Sequence, residues 1–517
     1  MKIERTKNAA RNIVFGTALK LYQILVPFLL RTTMIYFMGI EYVGLNSLFV
    51  SVLQVLNLAE LGVGSAMVFS MYQPVAEDDT VTICALMKLY RLYYRIVGAV
   101  IAVTGIVLTP FVPKLISGEV PDGINIYILY LLNLGATVLS YWLFAYKNSI
   151  FQAYQRTDIT SKVTLITNTF QYAVQFLVIC IFRNYHLFVV ALLMTQALTN
   201  IITALSADKI YPQYQPVGTL ERTKVKQINQ RIRALFTAKL GYVIVSSVDT
   251  IVISAFLGLT VLAVYQNYYF ILTSVIGFIT IIFNSCTAGI GNSLIVETVE
   301  KNFSDLKKFT FIICGISNFC GCCFLCLYQP FMKVWVGEQY LLEYSAVVFF
   351  AIYFYTYEVN QLLNTYKDAA GIWHQDRFRP MITALVNLTL NLLSVNFWGI
   401  YGVLLSTIVS TLFIGMPWLL HNLFSFIFRK EMLKEFLSKL LMYTLVSVVS
   451  CIVTATVCSL INYDNLFTLM VRLLICMVIP NMIFFLIYRN SKEFRDSINM
   501  INMITKRKNS EPDEQIR

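Results

Sequence analysis

Apolar blocks of about twenty residues recur along nearly the whole chain, and this recurrence limits the fold more than any other feature. Each block is long enough to cross the hydrocarbon core of a membrane as one helix. A span must satisfy its own backbone hydrogen bonds, and the short alternating segments of a transmembrane barrel are not seen. We therefore predict an all-α, polytopic membrane protein with about fourteen transmembrane helices.

The predicted spans include a long first block with no small-residue cleavage site, which is typical of a span and not of a removable signal. The fourteen spans are 12–38, 42–70, 92–113, 124–146, 161–183, 186–206, 236–257, 261–289, 309–330, 344–366, 379–398, 400–424, 438–461 and 466–488.

Basic residues are distributed unequally between the two sides of these spans. Of the 40 Lys and Arg residues, 34 fall on the side of the termini. Because cytoplasmic loops carry the excess of Lys and Arg, both termini are predicted to be cytoplasmic. The formal charge of +12 belongs to these short loops, so we do not expect nucleic acid as a partner.

The chain also contains a weak internal repeat at an offset of 219 residues. Pairs at this offset are Lys20 and Lys239, Gly39 and Gly258, and Asn168 and Asn387. The repeat predicts two pseudo-symmetric six-helix lobes, followed by two additional helices. The predicted segments are an N-terminal lobe 1–206, a basic cytoplasmic linker 207–235, a C-terminal lobe 236–430, a two-helix segment 431–490 and a cytoplasmic tail 491–517.

Two cations lie within the first predicted span, Lys20 and Arg31. A charge in the bilayer centre is costly, and an interval of eleven residues, about three helical turns, places both on one face. We predict that Lys20, Arg31 and, in the second copy, Lys239 bind substrate on a transport path. The alternative is that they extend to the two interfaces. Pro27 between them is a candidate hinge.

Three carboxylates lie within other spans: Glu60, Asp249 and Glu358. Acidic groups in the membrane mark ion and proton paths, so we predict ion-coupling roles for them. The alternative for Asp249 is a structural hydrogen bond between helices. Amide side chains form further stripes, and we predict that they bind hydroxyl-rich groups, with interhelical hydrogen bonding as the alternative. The predicted substrate-binding amides are Asn46, Asn168, Gln171, Gln175, Asn387 and Asn391.

Catalytic patterns are missing from the sequence. The three histidines are far apart, and no phosphate-binding loop is present. Most of the eleven cysteines lie in apolar spans without interleaved His or carboxylates, so we interpret them as small apolar residues and expect no metal site. A transporter without catalytic residues or a bound cofactor is expected, with Na⁺ or H⁺ as candidate coupling ion.

Several degenerate motifs occur in an order that resembles a known family. They are MGIEYVGLNSL (38–48), LNLAELGVGSAM (56–67), FQAYQRTD (151–158), SSVDTIVISAFLGLTVLAVYQNYY (246–269), VWVGEQYL (334–341) and AAGIWHQDRFRP (369–380). With this order the chain resembles the Wzx-like polysaccharide repeat-unit flippases (O-antigen, capsule or teichoic type) of the multidrug/oligosaccharidyl-lipid/polysaccharide exporter superfamily. One departure is Thr260, which stands where Glu41 supplies an acid in the first copy.

The resemblance implies that the two six-helix lobes surround a central cavity, which opens alternately to each side of a bacterial cytoplasmic membrane. It implies export of an undecaprenyl-pyrophosphate-linked oligosaccharide from the inner to the outer leaflet, for surface polysaccharide synthesis. Implied partners are the lipid-linked oligosaccharide, membrane lipids, and a polysaccharide polymerase with its assembly machinery. A cation-coupled small-molecule or multidrug antiporter and a lipid II flippase are alternatives within the superfamily. A membrane-embedded polymerase or glycosyltransferase is the alternative from another class, for which the outside loops are short.

Overall fold

The chain is built from helices joined by short connections in a computed structural model that describes residues 5–118, 120–461 and 466–509. All regular elements within these ranges are helical, which confirms the predicted fold class. The helices of the first half are α1 (Arg5–Phe37), α2 (Glu41–Leu56), α3 (Val63–Ala76), α4 (Thr80–Leu108), α5 (Ile126–Trp142), α6 (Asn148–Ala153), α7 (Thr157–Leu177), α8 (Tyr185–Ile210) and α9 (Arg222–Leu257).

The second half contains the longest helices of the chain. They are α10 (Leu259–Val296), α11 (Val299–Val336), α12 (Tyr344–Ala370), α13 (Arg379–Ser410), α14 (Met416–Phe426), α15 (Met432–Ser459), α16 (Leu466–Tyr488) and α17 (Lys492–Asn509). Contacts divide the chain into two compact units, Met1–Gln266 with Asn391–Gly399, and Asn267–Leu390 with Ile400–Arg517. This division does not test the repeat, so the lobe boundaries at 206 and 236 stay a prediction.

The number of membrane-spanning helices agrees closely with the prediction. Among the described residues, 12 helices are long and apolar enough to cross a membrane, or 13 if the bent pair at Ile126–Ala153 is one span. The stretch Arg379–Phe426 is counted once although it has 48 residues. Its length is about 72 Å as a helix, more than twice the core thickness of about 30 Å. Since its backbone leaves helical geometry at Gly399, it corresponds to the two predicted spans 379–398 and 400–424.

The second predicted span, 42–70, is broken. Helix α2 ends at Leu56, a turn of 3-10 helix covers Asn57–Glu60, and α3 begins at Val63. The break depends on Gly62, whose φ of 88° lies in the left-handed region that side chains disfavour. A Cβ at Gly62 would also lie 2.7 Å from Cβ of Leu235, so α9 packs directly against the break. The apolar pattern alone does not reveal such a break, because both halves remain apolar.

Two glycines that the repeat pairs have similar backbone roles. Gly39 precedes α2 with φ 123°, and Gly258 precedes α10 with φ 90°. Two residues beyond each glycine lie Glu41 and Thr260, and the Thr260 hydroxyl donates to the Glu41 carboxylate at 3.3 Å. Thr260 therefore supplies a hydroxyl group where the repeat would place a second acid, and this hydroxyl donates a hydrogen bond to Glu41.

The loop predicted for 207–235 is shorter than expected. Helix α8 continues to Ile210 and α9 begins at Arg222, so only 211–221 lies between helices. The correction has a simple cause: Lys, Arg and Gln dominate 222–233, and these residues favour helix when they extend into water. Tyr211 and Tyr214 in the remaining loop are buried, and the Tyr211 ring stacks on Tyr154 with centroids 4.8 Å apart.

Large apolar side chains are exposed along the additional helices. Leu441, Leu445, Val448 and Ile452 follow helical spacing on α15 and are all exposed. A continuous apolar face of this kind is expected on the lipid side of a membrane helix, since it has no cost there.

Candidate functional site

A polar cavity lies in the first unit beside the broken second span. Its volume is about 330 Å³, and its lining comes from the break before α3, from α4, and from α6 to α9. The bend between α5 and α6, 48° in angle, also borders it through Phe144 and Ala145. Non-helical backbone at membrane depth is tolerated where it lines a cavity, so two breaks at one cavity indicate a functional site.

Glu60 occupies the cavity wall at the start of α3. Its Oε1 accepts a hydrogen bond from the Gly64 backbone N–H at 3.3 Å. Carboxylates are stabilised at helix N-termini, where backbone N–H groups lack partners within the helix. The break therefore creates a place for Glu60 that an unbroken span would not provide. There is no room for a side chain at Gly64, because a Cβ there would lie 2.9 Å from Glu60 Oε1.

Tyrosines hold the second side of Glu60. The Tyr94 hydroxyl donates to Glu60 Oε1 at 3.4 Å, and the Tyr90 hydroxyl donates to that of Tyr94 at 2.6 Å. The Tyr94 ring packs edge-on against Tyr141 with centroids 5.3 Å apart. This chain of hydroxyls keeps the carboxylate in one orientation and leaves hydrogen-bonding groups on the cavity surface.

Lys239 supplies a cation on the same wall. It extends from α9, its Nζ donates to Ser65 Oγ at 3.2 Å, and its charge acts on Glu60. The structure thus brings together two residues that the sequence predicted separately, one as a substrate ligand and one as an ion-coupling group. Both charges border the same cavity.

Uncharged polar side chains from α7 and α8 also line the cavity. They include Thr164 on α7, one turn before Asn168, and Thr199 and Asn200 on α8. The Thr199 hydroxyl donates to that of Thr167 at 2.7 Å. The sequence did not single out Tyr90, Tyr94 or the α8 residues, although the four-residue interval between the tyrosines is a helical signal.

The amides deeper along α7 have structural partners. Gln171 Nε2 donates to Gln175 Oε1 at 3.2 Å, and Gln175 Nε2 donates to the Phe188 carbonyl on α8 at 3.1 Å. Both side chains are buried, as in an interhelical contact. Asn168 is half-buried on the same helix. Asn46 on α2 accepts from the Tyr185 hydroxyl at 3.3 Å. Their contact with a substrate stays a prediction.

Arg31 lies apart from the described cavity lining. It is half-buried, and its guanidinium donates to the Gln266 backbone carbonyl at 2.7 Å. Gln266 in turn donates through Nε2 to the Thr250 hydroxyl at 2.8 Å. Lys20 is exposed on α1, and Pro27 lies inside that helix, which the structure describes as continuous. The hinge role of Pro27 remains a prediction.

Asp249 is held by an amide. The Asn391 Nδ2 donates to Asp249 Oδ1 at 2.6 Å, so two residues predicted for different roles meet in the first unit. In the second unit, Asn387 Nδ2 donates to the Thr407 hydroxyl at 2.9 Å and is fully buried. These contacts fit both a structural interpretation and a site for a small cation.

Glu358 differs from the other two carboxylates. It is 1% exposed on α12, and neither carboxylate oxygen has a hydrogen-bond partner within the described part of the chain. An ionised carboxylate without donors or counter-charge is costly in an apolar interior. Glu358 therefore remains a candidate proton site.

Comparisons with known proteins give the fold but no close relative. No protein-family model matches the chain, and no curated protein matches it. Among solved structures, the lipid II flippase MurJ in an inward closed conformation has TM-score 0.66 at 13% identity, covering 92% of this chain and 99% of that one. An inward-facing multidrug resistance MATE family transporter of the MOP superfamily has TM-score 0.59 at 14% identity, covering 81% and 99%.

A third solved structure is a MOP superfamily transporter from Pyrococcus furiosus, with TM-score 0.55 at 14% identity over 83% of this chain and 96% of that one. The binding pocket of that transporter is described as having reverse polarity. Together these likenesses establish the fold of MOP-superfamily transporters for this chain.

Proposed function

We propose that this protein is a flippase that moves an undecaprenyl-pyrophosphate-linked oligosaccharide repeat unit from the inner to the outer leaflet by alternating access. The observation that carries the proposal is the lining of the cavity in the first unit. It combines Lys239 and Glu60 with hydroxyl and amide groups, including Tyr94, Thr164 and Asn200. Sugars are recognised by such groups, and a lysine binds phosphate as a point charge.

The cavity size fits only part of such a substrate. About 330 Å³ is at the lower end for small-molecule sites. We therefore assign it to the pyrophosphate and the first sugar, with Lys239 as the phosphate-binding group. Lys20, at the paired position of the repeat, is proposed to attract the head group from the cytoplasmic leaflet. Arg31 and the amide residues stay in the proposal as secondary substrate contacts.

A cation-coupled small-molecule or multidrug antiporter is the second candidate, favoured by the MATE likeness. Pockets for small drug-like molecules are mainly apolar and aromatic. The polar lining argues for the lipid-linked substrate. The extent of the two structural matches also favours the lipid-linked substrate. The match to the lipid II flippase covers 92% of this chain and the match to the MATE transporter 81%, a difference of about 57 residues. That is also the length of the segment from α15 to the end of α16.

Transport is proposed to be driven by a coupling ion and not by a catalytic site. Glu60 and Asp249 are held by donors that suit an ionised carboxylate, whereas Glu358 lacks such donors among the described residues. We assign cation coupling to the first two and proton coupling to Glu358. Na⁺ and H⁺ are the candidate ions.

A deletion in the host organism tests the proposal. We expect lipid-linked repeat units to accumulate on the cytoplasmic leaflet and the surface polymer to disappear. The lipid intermediates can be extracted and their side of the membrane read with an impermeant sugar-modifying reagent. Normal surface polymer together with lost drug tolerance would instead establish the antiporter.

Point variants test the assigned cavity. Lys239→Ala and Glu60→Gln are each expected to reduce surface polymer at least about tenfold at equal protein level, since each removes one charge from the cavity. Lys226→Ala and Glu297→Gln are matched controls at exposed positions that do not line the described cavity, and they should leave transport unchanged. Wild-type transport by both cavity variants would remove this cavity from the mechanism.

A further inference from the structure

Three cysteines from three helices meet in the interior of the second unit. They are Cys326 on α11, Cys458 on α15 and Cys476 on α16, and their Sγ atoms all lie within 4.8 Å of one another. All three are buried, with exposed fractions of 4%, 2% and 0%. Sequence reasoning did not connect them, because Cys458 and Cys476 are far from Cys326 along the chain.

The surroundings of this thiol cluster contain more sulfur. Cys323 packs against it, and Cys322 lies one turn before Cys326 with its Sγ 3.5 Å from that of Cys451. The other neighbours are apolar, among them Leu327 and Ile475. No histidine or carboxylate shares the cluster in the described ranges. Among His, Cys, Asp and Glu side chains of the described residues, an ion held here would therefore meet only thiols.

A cation stands beside the thiols. Arg472 lies one turn before Cys476, and its guanidinium donates to the Ile461 carbonyl at 2.8 Å and to the Cys326 carbonyl at 3.5 Å. Its Nε is buried and has no hydrogen-bond partner among the described residues. A buried guanidinium of this kind favours negative charge nearby, and deprotonated cysteines would supply it.

We propose that Cys326, Cys458 and Cys476 form a three-coordinate site for a soft, thiophilic metal ion of the Cu(I) class. Thiolate ligands select such ions. With metal–sulfur bonds of about 2.3 Å, a trigonal arrangement needs sulfur separations of about 4.0 Å, which is inside the 4.8 Å within which the three Sγ atoms lie. Zn²⁺ fits less well because it takes four ligands, and in the described part of the chain only these three Sγ atoms lie within 4.8 Å of one another.

The charges also balance for a monovalent ion. Binding releases protons from two of the thiols, and the third can stay a neutral ligand. Two thiolates, one Cu(I) and the Arg472 guanidinium then have no net charge, which a membrane interior favours. The bound ion would link α15 and α16 to α11, and thus fix the two additional helices in place. This site is independent of the transport function proposed above.

Metal binding to the full-length protein in detergent, reduced and free of oxygen, tests the site. Cu(I) is titrated in competition with a chromophoric Cu(I) chelator. We expect one tightly bound Cu(I) per chain, with ultraviolet absorption from sulfur-to-copper charge transfer and a raised Tm. The raised Tm follows because an ion that binds only the folded state stabilises it.

Variants separate this site from the other cysteines. Cys458→Ser keeps the side-chain size and should weaken Cu(I) binding at least tenfold, as should Cys326→Ala and Cys476→Ala. Cys180→Ala, a matched control in the first unit, should bind like the wild type. Binding that is unchanged in Cys458→Ser would overturn the proposal, and so would wild-type protein that binds no Cu(I). A pair of the three cysteines isolated as a disulfide from cells would overturn it too.

Discussion

Gly64 and its neighbours set the orientation of the cavity carboxylate. The absence of a side chain at this position lets the Gly64 N–H approach Glu60, while Tyr90 and Tyr94 hold the other side. A one-residue change here acts on Glu60 without changing any charge. Gly64 is therefore the residue at which geometry and charge can be tested separately.

We expect Gly64→Ala to reduce transport at least about tenfold, because the new methyl group displaces Glu60 from the orientation that its donors fix. A Cβ at Gly64 would lie 2.9 Å from Glu60 Oε1 and 3.0 Å from the Tyr90 hydroxyl. Surface polymer normalised to membrane protein level is the measurement.

Gly289→Ala is the control for this substitution, since nothing lies within 4 Å of the Cβ position in α10. It should retain full transport and a Tm at or above that of the wild type, as alanine favours helix over glycine. Equal losses in both variants would contradict the role assigned to Gly64.

The charged cavity residues could be found from sequence, because a charge within an apolar span is conspicuous. Lys239 and Glu60 are both such residues. The tyrosines and threonines of the cavity could not be found this way, since they are also common in interhelical packing. For Gln171 and Gln175 the stripe predicted substrate ligands, which stays a prediction, and the sequence did not indicate their contacts with each other and with α8.

At the scale of helices, buried carboxylates form ion pairs at the points where connections meet the following helix. Asp376 precedes α13 and is 2% exposed, with Arg379 donating to both of its oxygens at 2.7 Å. Asn422 on α14 donates to the same carboxylate at 2.9 Å. In the first unit, fully buried Asp158 in the first turn of α7 pairs with Arg156 at 2.9 Å. Both pairs lie within motifs that carried the family resemblance, FQAYQRTD and AAGIWHQDRFRP.

Removing one member of such a pair leaves a buried charge without compensation. Asp376→Asn is therefore expected to destabilise the protein by about 3 kcal/mol and to lower its Tm by several degrees. Thermal unfolding in detergent, followed by loss of the monodisperse peak in size-exclusion chromatography, measures the change.

Glu300→Gln provides the comparison, because Glu300 pairs with Arg429 at 2.7 Å where both side chains are more than half exposed. Surface pairs contribute at most about 1 kcal/mol, so the Tm should change little. Similar losses of stability in both variants would show that the Asp376 network contributes no more to stability than a surface ion pair.

The existence of the helices was predictable from apolar blocks, and their interruptions were not. The break at Gly62 lies inside a continuous apolar block, where only a positive φ and the close approach of α9 reveal it. The kink at Gly399 separates two helices that sequence had already divided, since the combined length exceeds two membrane crossings. Length gives the number of spans, but backbone conformation within a span depends on tertiary contacts.

At the scale of the molecule, the unequal distribution of Lys and Arg makes a prediction about orientation. Both termini should be cytoplasmic, and the segment 337–343 between α11 and α12 should be external. A fluorescent protein fused after residue 517 is expected to fluoresce, because it folds in the cytoplasm. Alkaline phosphatase inserted at residue 340 should be active, and the same enzyme fused at residue 517 should be inactive. The opposite pattern would invert the topology and the proposed direction of transport.

The close approach of Gly62 to α9 also has a consequence for changes in chain length. Leu235 touches the break, and Lys239 reaches the cavity one helical turn later on the same helix. One residue inserted between these two positions would rotate the lysine by about 100° and carry it away from Glu60. The stretch 215–221, which follows the buried Tyr214 and is mostly exposed, has no such restriction on its length. Natural variants of this protein should therefore gain or lose residues before Arg222 and keep the interval from Leu235 to Lys239 constant.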